Sequence, residues 1–513
     1  MVLSAALYKI TVVLFKRTIR GIKKFYRRVE MALLKREFGG IQPCWRVGLF
    51  RIRLPFIHFR ISPPEVVTGL MNACTSYGAL AVLITTLGLD PQVAWALVVF
   101  ETACYTLNWV LGEPSICGWI TPAMSIIVVF LESLEPGVAR IQMLTAIELE
   151  LAAMFIILGF TGLSKKLNTM VPPAVKAGIV LGAGVNAIYA RLGAGGAVDT
   201  VTIGCVGGLV IVFMLMFSRR VRKYMETNRF VAILGNYSFL WAVLALLVLG
   251  GAAGEFQFNF SGEIIRVPDF IGLFQVVSPL FIGFAADPMV WVNALPYAVM
   301  AWIIAYGDFV TVQQLGLQAV RDDEYIEFDP NRTNVICGIR NLLLGLFAPY
   351  PALAGPLSAP YCVATYARYK QSGRQGMDSI YDGSGTNLIF TVLGLFVYPL
   401  YEASLAASAA LLVVVLCIQG WLCAVIAFDL VRDEMDKGIA GMIAGFVMAR
   451  GGGVGFVVGV IFYLLMCDNE KIRDDYAYNK EQQRIEDEET NKQLEALAAR
   501  LEAIKAGKVP EEK

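Results

Sequence analysis

The sequence predicts an all-α polytopic membrane protein with about 14 transmembrane helices, set out as two inverted groups of seven. Three observations carry this. Of the 513 residues, 57% are hydrophobic and only 17% are charged, against roughly 25% charged in soluble chains. Long apolar runs recur along the chain with short breaks between them, the pattern of repeated membrane crossings. Lysine and arginine gather in alternate loops, as they do where one side of a membrane retains positive charge.

Residues 1–62 are a basic segment with only two acids before residue 60, Glu30 and Glu37. The run LYKITVVLFKRTIRGIKKFYRRVE within it reads either as a topology signal or as an amphipathic helix on anionic lipid. Lys9 interrupts the first apolar run, and no small-residue cleavage site follows, so no cleavable signal peptide is expected. The transmembrane domain covers 63–467. Its spans centre in 66–88, 91–111, 116–131, 141–161, 172–190, 200–217 and 230–251, then in 291–315, 335–348, 356–368, 385–400, 405–429, 438–450 and 454–467.

With the N-terminus inside, the inner loops hold Lys165 and Lys166, then Arg219, Arg220, Arg222 and Lys223. They go on to hold Arg321 and Arg332, Lys370 and Arg374, and Arg432 and Lys437. The opposite loops are short, acidic or glycine-rich. Both termini are therefore expected in the cytoplasm, with the body in the inner (plasma) membrane. Residues 468–513 form a charged tail with Leu494, Leu497, Leu501 and Ile504 at helical spacing. Two heptads are too few for a coiled coil.

Several functions are excluded. His58 is the only histidine, so neither a histidine-based zinc motif nor a Ser-His-Asp triad is available. There is no phosphate-binding G-x-x-x-x-G-K-[ST] loop. The ten cysteines are scattered, and several, such as Cys74, Cys104 and Cys205, sit in apolar runs as small hydrophobes. No enzymatic constellation, cofactor, structural metal or nucleic-acid surface is expected.

Two spans cannot be continuous helices. GEPSICGWITPAMSIIVV, from Gly112, carries Pro114, Gly118 and Pro122. PYPALAGPLSAPYCVATYARY, from Pro349, carries Pro351, Gly355, Pro356 and Pro360. Proline removes a donor and clashes with the preceding turn. Such backbone persists at membrane depth only inside protein or beside a water-filled cavity. These are the third span of each set, and paired interruptions at matching positions mark a binding site in inverted-repeat transporters. Cys117, Thr121, Ser358 and Tyr361 lie in the breaks and are candidate substrate contacts; the alternative is that the prolines only kink packed helices. Tyr77 and Tyr306 fall in the related stretches SYGAL and AYGDF, which open the two sets, and are candidate contacts as well.

Asp308 lies within the apolar run AWIIAYGDFVTVQQLG. A carboxylate in hydrocarbon costs several kcal/mol, on the order of 3 by insertion scales, so by default it is functional. It is a candidate for substrate contact and for proton or sodium coupling, with a structural cap as the alternative. Glu101, in the second span, is a second coupling candidate. Glu148 and Glu150 are two apart and cannot share a helix face. Lys176 reads as snorkelling to headgroups, Arg340 as a boundary charge, and Arg374 as part of a turn.

Four motifs in order resemble a known superfamily. VPPAVKAGIVLGAG (171–184) resembles the fifth span of the nucleobase–ascorbate (uracil/xanthine) permeases. SGRQGMDS (372–379) resembles the glycine–arginine turn that purine permeases share with sulfate permeases. DKGIAGMIAG (436–445) resembles their penultimate span, and AYGDFVTV their acid-bearing eighth span. The resemblance implies 7+7 inverted repeats with a core domain of spans 1–4 and 8–11 and a gate domain of spans 5–7 and 12–14. It also implies substrate between the half-helices of spans three and ten, homodimers through the gate domains and elevator-like motion. Two positions depart. Those carriers place a glutamate one turn before the Asp308 position, where this chain has Ile304, and another in the broken tenth span, where AGPLSAPYC has no acid. Fewer carboxylates beside two helix N-termini favour a small anion, closer to the sulfate-permease logic.

The expected function is secondary transport of a small polar or anionic solute, coupled to H+ or Na+. The alternatives are a passive anion channel or exchanger on the same scaffold, and a sensor acting through its tail.

Overall fold

The computed structural model describes residues 41–506 with Leu34 and Arg36, apart from residues 194, 195, 229, 230, 232, 233, 236, 237, 322, 323, 325 and 451. The basic stretch 7–30 lies outside the described residues. The chain is mostly helical. The helices that carry the description are α1 (Pro63–Ser76), α2 (Pro91–Val110), α3 (Thr121–Glu132), α4 (Val138–Thr161), α5 (Pro173–Leu192), α6 (Thr202–Phe217) and α7 (Ser238–Ala252). They continue with α8 (Pro288–Ala319), α9 (Pro330–Phe347), α10 (Ala359–Gly376), α11 (Ile380–Gly394), α12 (Ser408–Leu430), α13 (Glu434–Arg450), α14 (Gly452–Met466) and α15 (Asn469–Lys505).

Among the described residues, five helices are long and apolar enough to cross a membrane by themselves: Pro63–Thr85, Pro91–Val110, Val138–Thr161, Pro288–Phe309 and Ser408–Leu430. Thr121–Glu132, Ser238–Ala252 and Val454–Met466 are shorter apolar helices. The first two sequence-read spans and the fourth agree with helices to within a few residues. The eighth runs past its expected end, to Ala319, as one helix of 32 residues.

Prolines set many helix starts. Pro63, Pro91, Pro173, Pro288 and Pro330 each occupy the first position of their helix, where the missing N–H costs nothing and φ is already helical. Asp90, Asp287 and Asp329 cap three of these starts through their carboxylates. The SGRQG turn appears as expected: Gly373, at φ 59°, breaks the end of α10, and Arg374 lies 3.8 Å from Asp378.

α1 packs on α11. α4 packs on α8 and α9, and α2 on α9 and α11. A different group forms where α5 packs on α12, α13 and α14, α6 on α7, and α13 on α14. The α5–α13 contact depends on two glycines. A Cβ on Gly178 would lie 2.6 Å from the Ile443 Cβ, and one on Gly182 would lie 2.6 Å from the Val447 Cβ. Small residues four apart let membrane helices approach this closely. The largest apolar core runs through α1–α4, α8 and α9, while smaller clusters lie among α6, α7 and α12 and among α5, α12 and α13.

The segment before α1 folds onto this body. Strands β1 (Trp45–Val47) and β2 (Phe50–Ile52) form a hairpin. Arg51 holds Glu327 through two hydrogen bonds, of 2.9 and 3.1 Å. His58 is fully buried and accepts the Leu54 N–H at 3.0 Å. Burial and the neighbouring Arg53 lower its pKa, and its bond to the Leu54 N–H makes the single histidine a structural group.

Candidate functional site

The two proline-broken segments meet in space. β3 (Gly118–Trp119) pairs antiparallel with β4 (Ala354–Gly355), Gly118 opposite Gly355 and Trp119 opposite Ala354. Asn341 of α9 extends this small ladder: its amide donates to the Ala354 carbonyl at 2.8 Å and accepts the Ala354 N–H at 2.9 Å. The two backbones run so close that a Cβ on Gly355 would lie 2.9 Å from the Trp119 carbonyl.

Each strand leads into a helix, β3 into α3 of 12 residues and β4 into α10 of 18. Neither start has a side-chain cap. The residue before α3 is Ile120, and Ser358 before α10 makes no capping bond. The contrast is α9, where Asp329 accepts two backbone N–H groups. At α3 the Ala123 and Met124 N–H groups donate to the Ile120 carbonyl and Pro122 has none, so the Thr121 N–H and the partial positive charge of the start remain for another partner. Thr121 and Ser358, at these two starts, are half-buried.

Arg340 of α9 sits at the strand crossing. It is fully buried. One of its terminal nitrogens donates to the Gly355 carbonyl at 2.8 Å and the other to the Gly118 carbonyl at 3.5 Å, so it touches both strands. Its guanidinium lies 5.1 Å from the centre of the Tyr105 ring, within cation–π reach. Its Nε has no hydrogen-bond partner. Arg340 is therefore not the boundary charge that the sequence suggested. The signal was present, since ICGIRNLLLG places an arginine between apolar residues, and an intramembrane cation is functional by default.

Two fully buried acids lie nearby. Glu101 of α2 is within electrostatic reach of Arg340, with Tyr105 and Trp119 beside its carboxyl. Glu148 of α4 accepts the Tyr350 N–H at 2.9 Å. A separate buried pair, Arg332 with Glu113 at 2.7 Å, ties α9 to the segment leading into β3.

The sequence-read candidates divide between the crossing and other tasks. Cys117 is buried at the crossing, its thiol 3.6 Å from the Tyr105 carbonyl. Tyr361 is buried on α10 and shares a 2.7 Å hydrogen bond with Thr75 of α1. Tyr77 is fully buried, and its hydroxyl donates to the Leu395 carbonyl at 2.8 Å. Tyr306 donates to Gln483 of α15 at 3.0 Å. The two tyrosines of the related stretches thus bond to different elements. Asp308 is half-buried on α8, within electrostatic reach of Cys337, one turn before Arg340. Among the described residues no hydrogen bond or ion pair reaches its carboxylate. Lys176 is buried, not snorkelling into headgroups. Glu150 is half-buried while Glu148 is wholly buried, as expected for acids two apart.

No family description and no curated protein matches the chain in sequence. Among solved structures it is similar to the transmembrane domain of the cyanobacterial bicarbonate transporter BicA, at 14% identity and TM-score 0.48, over 78% of this chain and 97% of that one. It is also similar to SLC26A9, at 14% identity and TM-score 0.48, over 78% of this chain and 64% of that one. The murine Slc26a9 anion transporter in its inward-facing state matches at 13% identity and TM-score 0.45, over 79% of this chain and 68% of that one.

Proposed function

We propose that the chain is a secondary active transporter of a small polar or anionic solute, with a small anion favoured over a nucleobase. The observation that carries this reading is the strand crossing, where two uncapped half-helix starts converge beside the fully buried Arg340. Convergent N–H donors and one fixed cation suit an anion. Thr121, Ser358 and Cys117 would contact it, and Asp308 or Glu101 would couple its movement to H+ or Na+.

In this reading α1–α4 and α8–α11 form a moving core, and α5–α7 with α12–α14 form a gate through which two copies dimerise. Both termini face the cytoplasm and the body sits in the plasma membrane. The packing supports an inverted repeat. Relating each helix to the one seven places later turns the α1–α11 contact into α8–α4, and α6–α7 into α13–α14, and each of those pairs is packed. The core would then move as an elevator.

The test is uptake by proteoliposomes under an imposed pH or sodium gradient, over a panel of purines, pyrimidines, sulfate, sulfonates, bicarbonate and carboxylates. Gradient-driven uptake of one class, with exchange-stimulated counterflow, is expected. In Asp308→Asn the gradient stimulation is expected to disappear. Uptake without counterflow means a passive pore, and unchanged gradient dependence in Asp308→Asn makes that aspartate structural.

A further inference from the structure

Behind the strand crossing lies a group of buried polar atoms with unmet hydrogen-bonding capacity. Glu101 Oε1, Glu148 Oε1 and the Tyr350 hydroxyl are all buried and lack a hydrogen-bond partner. They belong together. Trp119 lies beside the Glu101 carboxyl, and its ring is 6.0 Å from that of Tyr350. Tyr350 gives its N–H to Glu148, and the two carboxyls are within electrostatic reach of one another. Native interiors seldom leave such groups unmet, and an unmet cluster marks an unseen ligand or a working group.

The charges do not balance either. Arg340, which stays charged, lies within electrostatic reach of Glu101, and among the described residues no cation lies within such reach of Glu148. The other titratable groups facing the pair are Tyr105, Tyr350, Cys104 and Cys117, and none supplies a positive charge. Among the described residues no lysine or arginine lies within ion-pair distance of Glu148. Ionising both acids would leave one uncompensated negative charge in the membrane interior, at a cost of several kcal/mol, on the order of 3 or more.

We propose that Glu101 and Glu148 form one binding site for a single exchangeable proton, with the Tyr350 hydroxyl as its third oxygen. A metal cation fits less well. Hard cations take six or more oxygens. The free oxygens here are two carboxylate atoms and one hydroxyl, while the Gly118, Gly355 and Ala354 carbonyls already accept from Arg340 and Asn341. The pair spans α2 and α4, both beside α9. Its occupancy therefore sets the charge felt by Arg340, the residue that touches both strands. Proton binding stands by itself. Its use in coupling rests on the transporter reading above.

The experiment is infrared spectroscopy of the purified full-length protein in lipid nanodiscs near neutral pH, in H2O and D2O. A protonated carboxylic-acid carbonyl band that shifts in D2O is expected. It should be lost in Glu148→Gln, which leaves Glu101 with the guanidinium of Arg340, and should persist at a shifted frequency in Glu101→Gln, which leaves Glu148 without a cation. Absence of the band in the wild type, its survival in Glu148→Gln, or an unshifted band in Glu101→Gln overturns the proposal. Loss of the wild-type band when sodium replaces choline also overturns it, in favour of a sodium site. If the band behaves as expected but no solute is transported, the proton site stands and the transporter reading falls.

Discussion

Two clusters of charge differ sharply in how they are satisfied. At the foot of the tail helix, Lys471 reaches Asp433, Asp436 and Asp475 at 2.8, 3.0 and 2.8 Å. Arg432 reaches Asp474 at 3.0 Å and Asp475 at 2.8 Å and lies 4.0 Å over the Tyr478 ring. Tyr463 donates to Asp475 at 2.7 Å. At the strand crossing, Arg340 bonds only to backbone carbonyls, and Glu101 and Glu148 each keep an oxygen without a partner. The first cluster is half in solvent and interlocked. The second is fully buried and incomplete. Interlocked charges fasten one element to another. Incomplete buried charges destabilise the resting fold, so they persist where a ligand or proton completes them.

Breaking the crossing should have the largest effect. Arg340→Gln keeps a hydrogen-bonding head but loses the charge. Truncating one partner of a buried charged contact costs about 2 kcal/mol or more, which under the proposed function is about thirtyfold in initial uptake rate. Arg340→Lys should recover only part of this, since a point charge cannot reach both strand carbonyls as the guanidinium fork does. Uptake equal to wild type in Arg340→Gln would make the arginine a brace for the strands and nothing more.

Breaking the tail cluster should act locally. In Lys471→Met, the buried Asp436 loses its cation, and amide exchange in the first turns of α15 should rise severalfold while that of α9 stays unchanged. The pH profile of docking follows from two shifts. Lys471 holds Asp433 below its usual 3.8. The contribution of Asp433 is therefore complete above that value and lost as pH falls through its lower, folded one. Burial opposes the charge of Lys471, but its hydrogen bonds to Asp433, Asp475 and Asp436 lift it above 10.5. That contribution is complete below 10.5 and lost as pH rises through the higher, folded value. The protection of α15, with the intrinsic pH dependence of amide exchange divided out, should thus be flat through neutral pH and fall only at both extremes. A step near neutrality would contradict this assignment.

The smallest effect is expected further along α15. Arg484 pairs with Glu481 at 2.5 Å and also with Glu488, all on the exposed helix surface. Exposed pairs contribute little, so Arg484→Ala should leave the melting temperature and the exchange of the body unchanged. A clear drop would show that the outer part of α15 is a working contact like its foot.

The sequence by itself determined the class, because apolar runs and proline-led starts are local features. Pro63, Pro91 and Pro173 open helices where they stand in the chain, and Asp90 and Asp329 cap theirs. The two breaks were legible for the same reason, since proline and glycine act on their own turn of backbone. Asp308 was legible as an anomaly, being an acid in an apolar run. The tertiary structure alone decided what those anomalies face. Gly118 and Gly355 lie 237 positions apart, and only folding pairs them. Only folding sets Arg340 across both strands, turns Tyr77 into a packing residue bonded to Leu395, and gives Glu148 the Tyr350 amide as its partner. A charge has a meaning only with its partners, and partners distant in sequence are brought together by packing that no local pattern specifies.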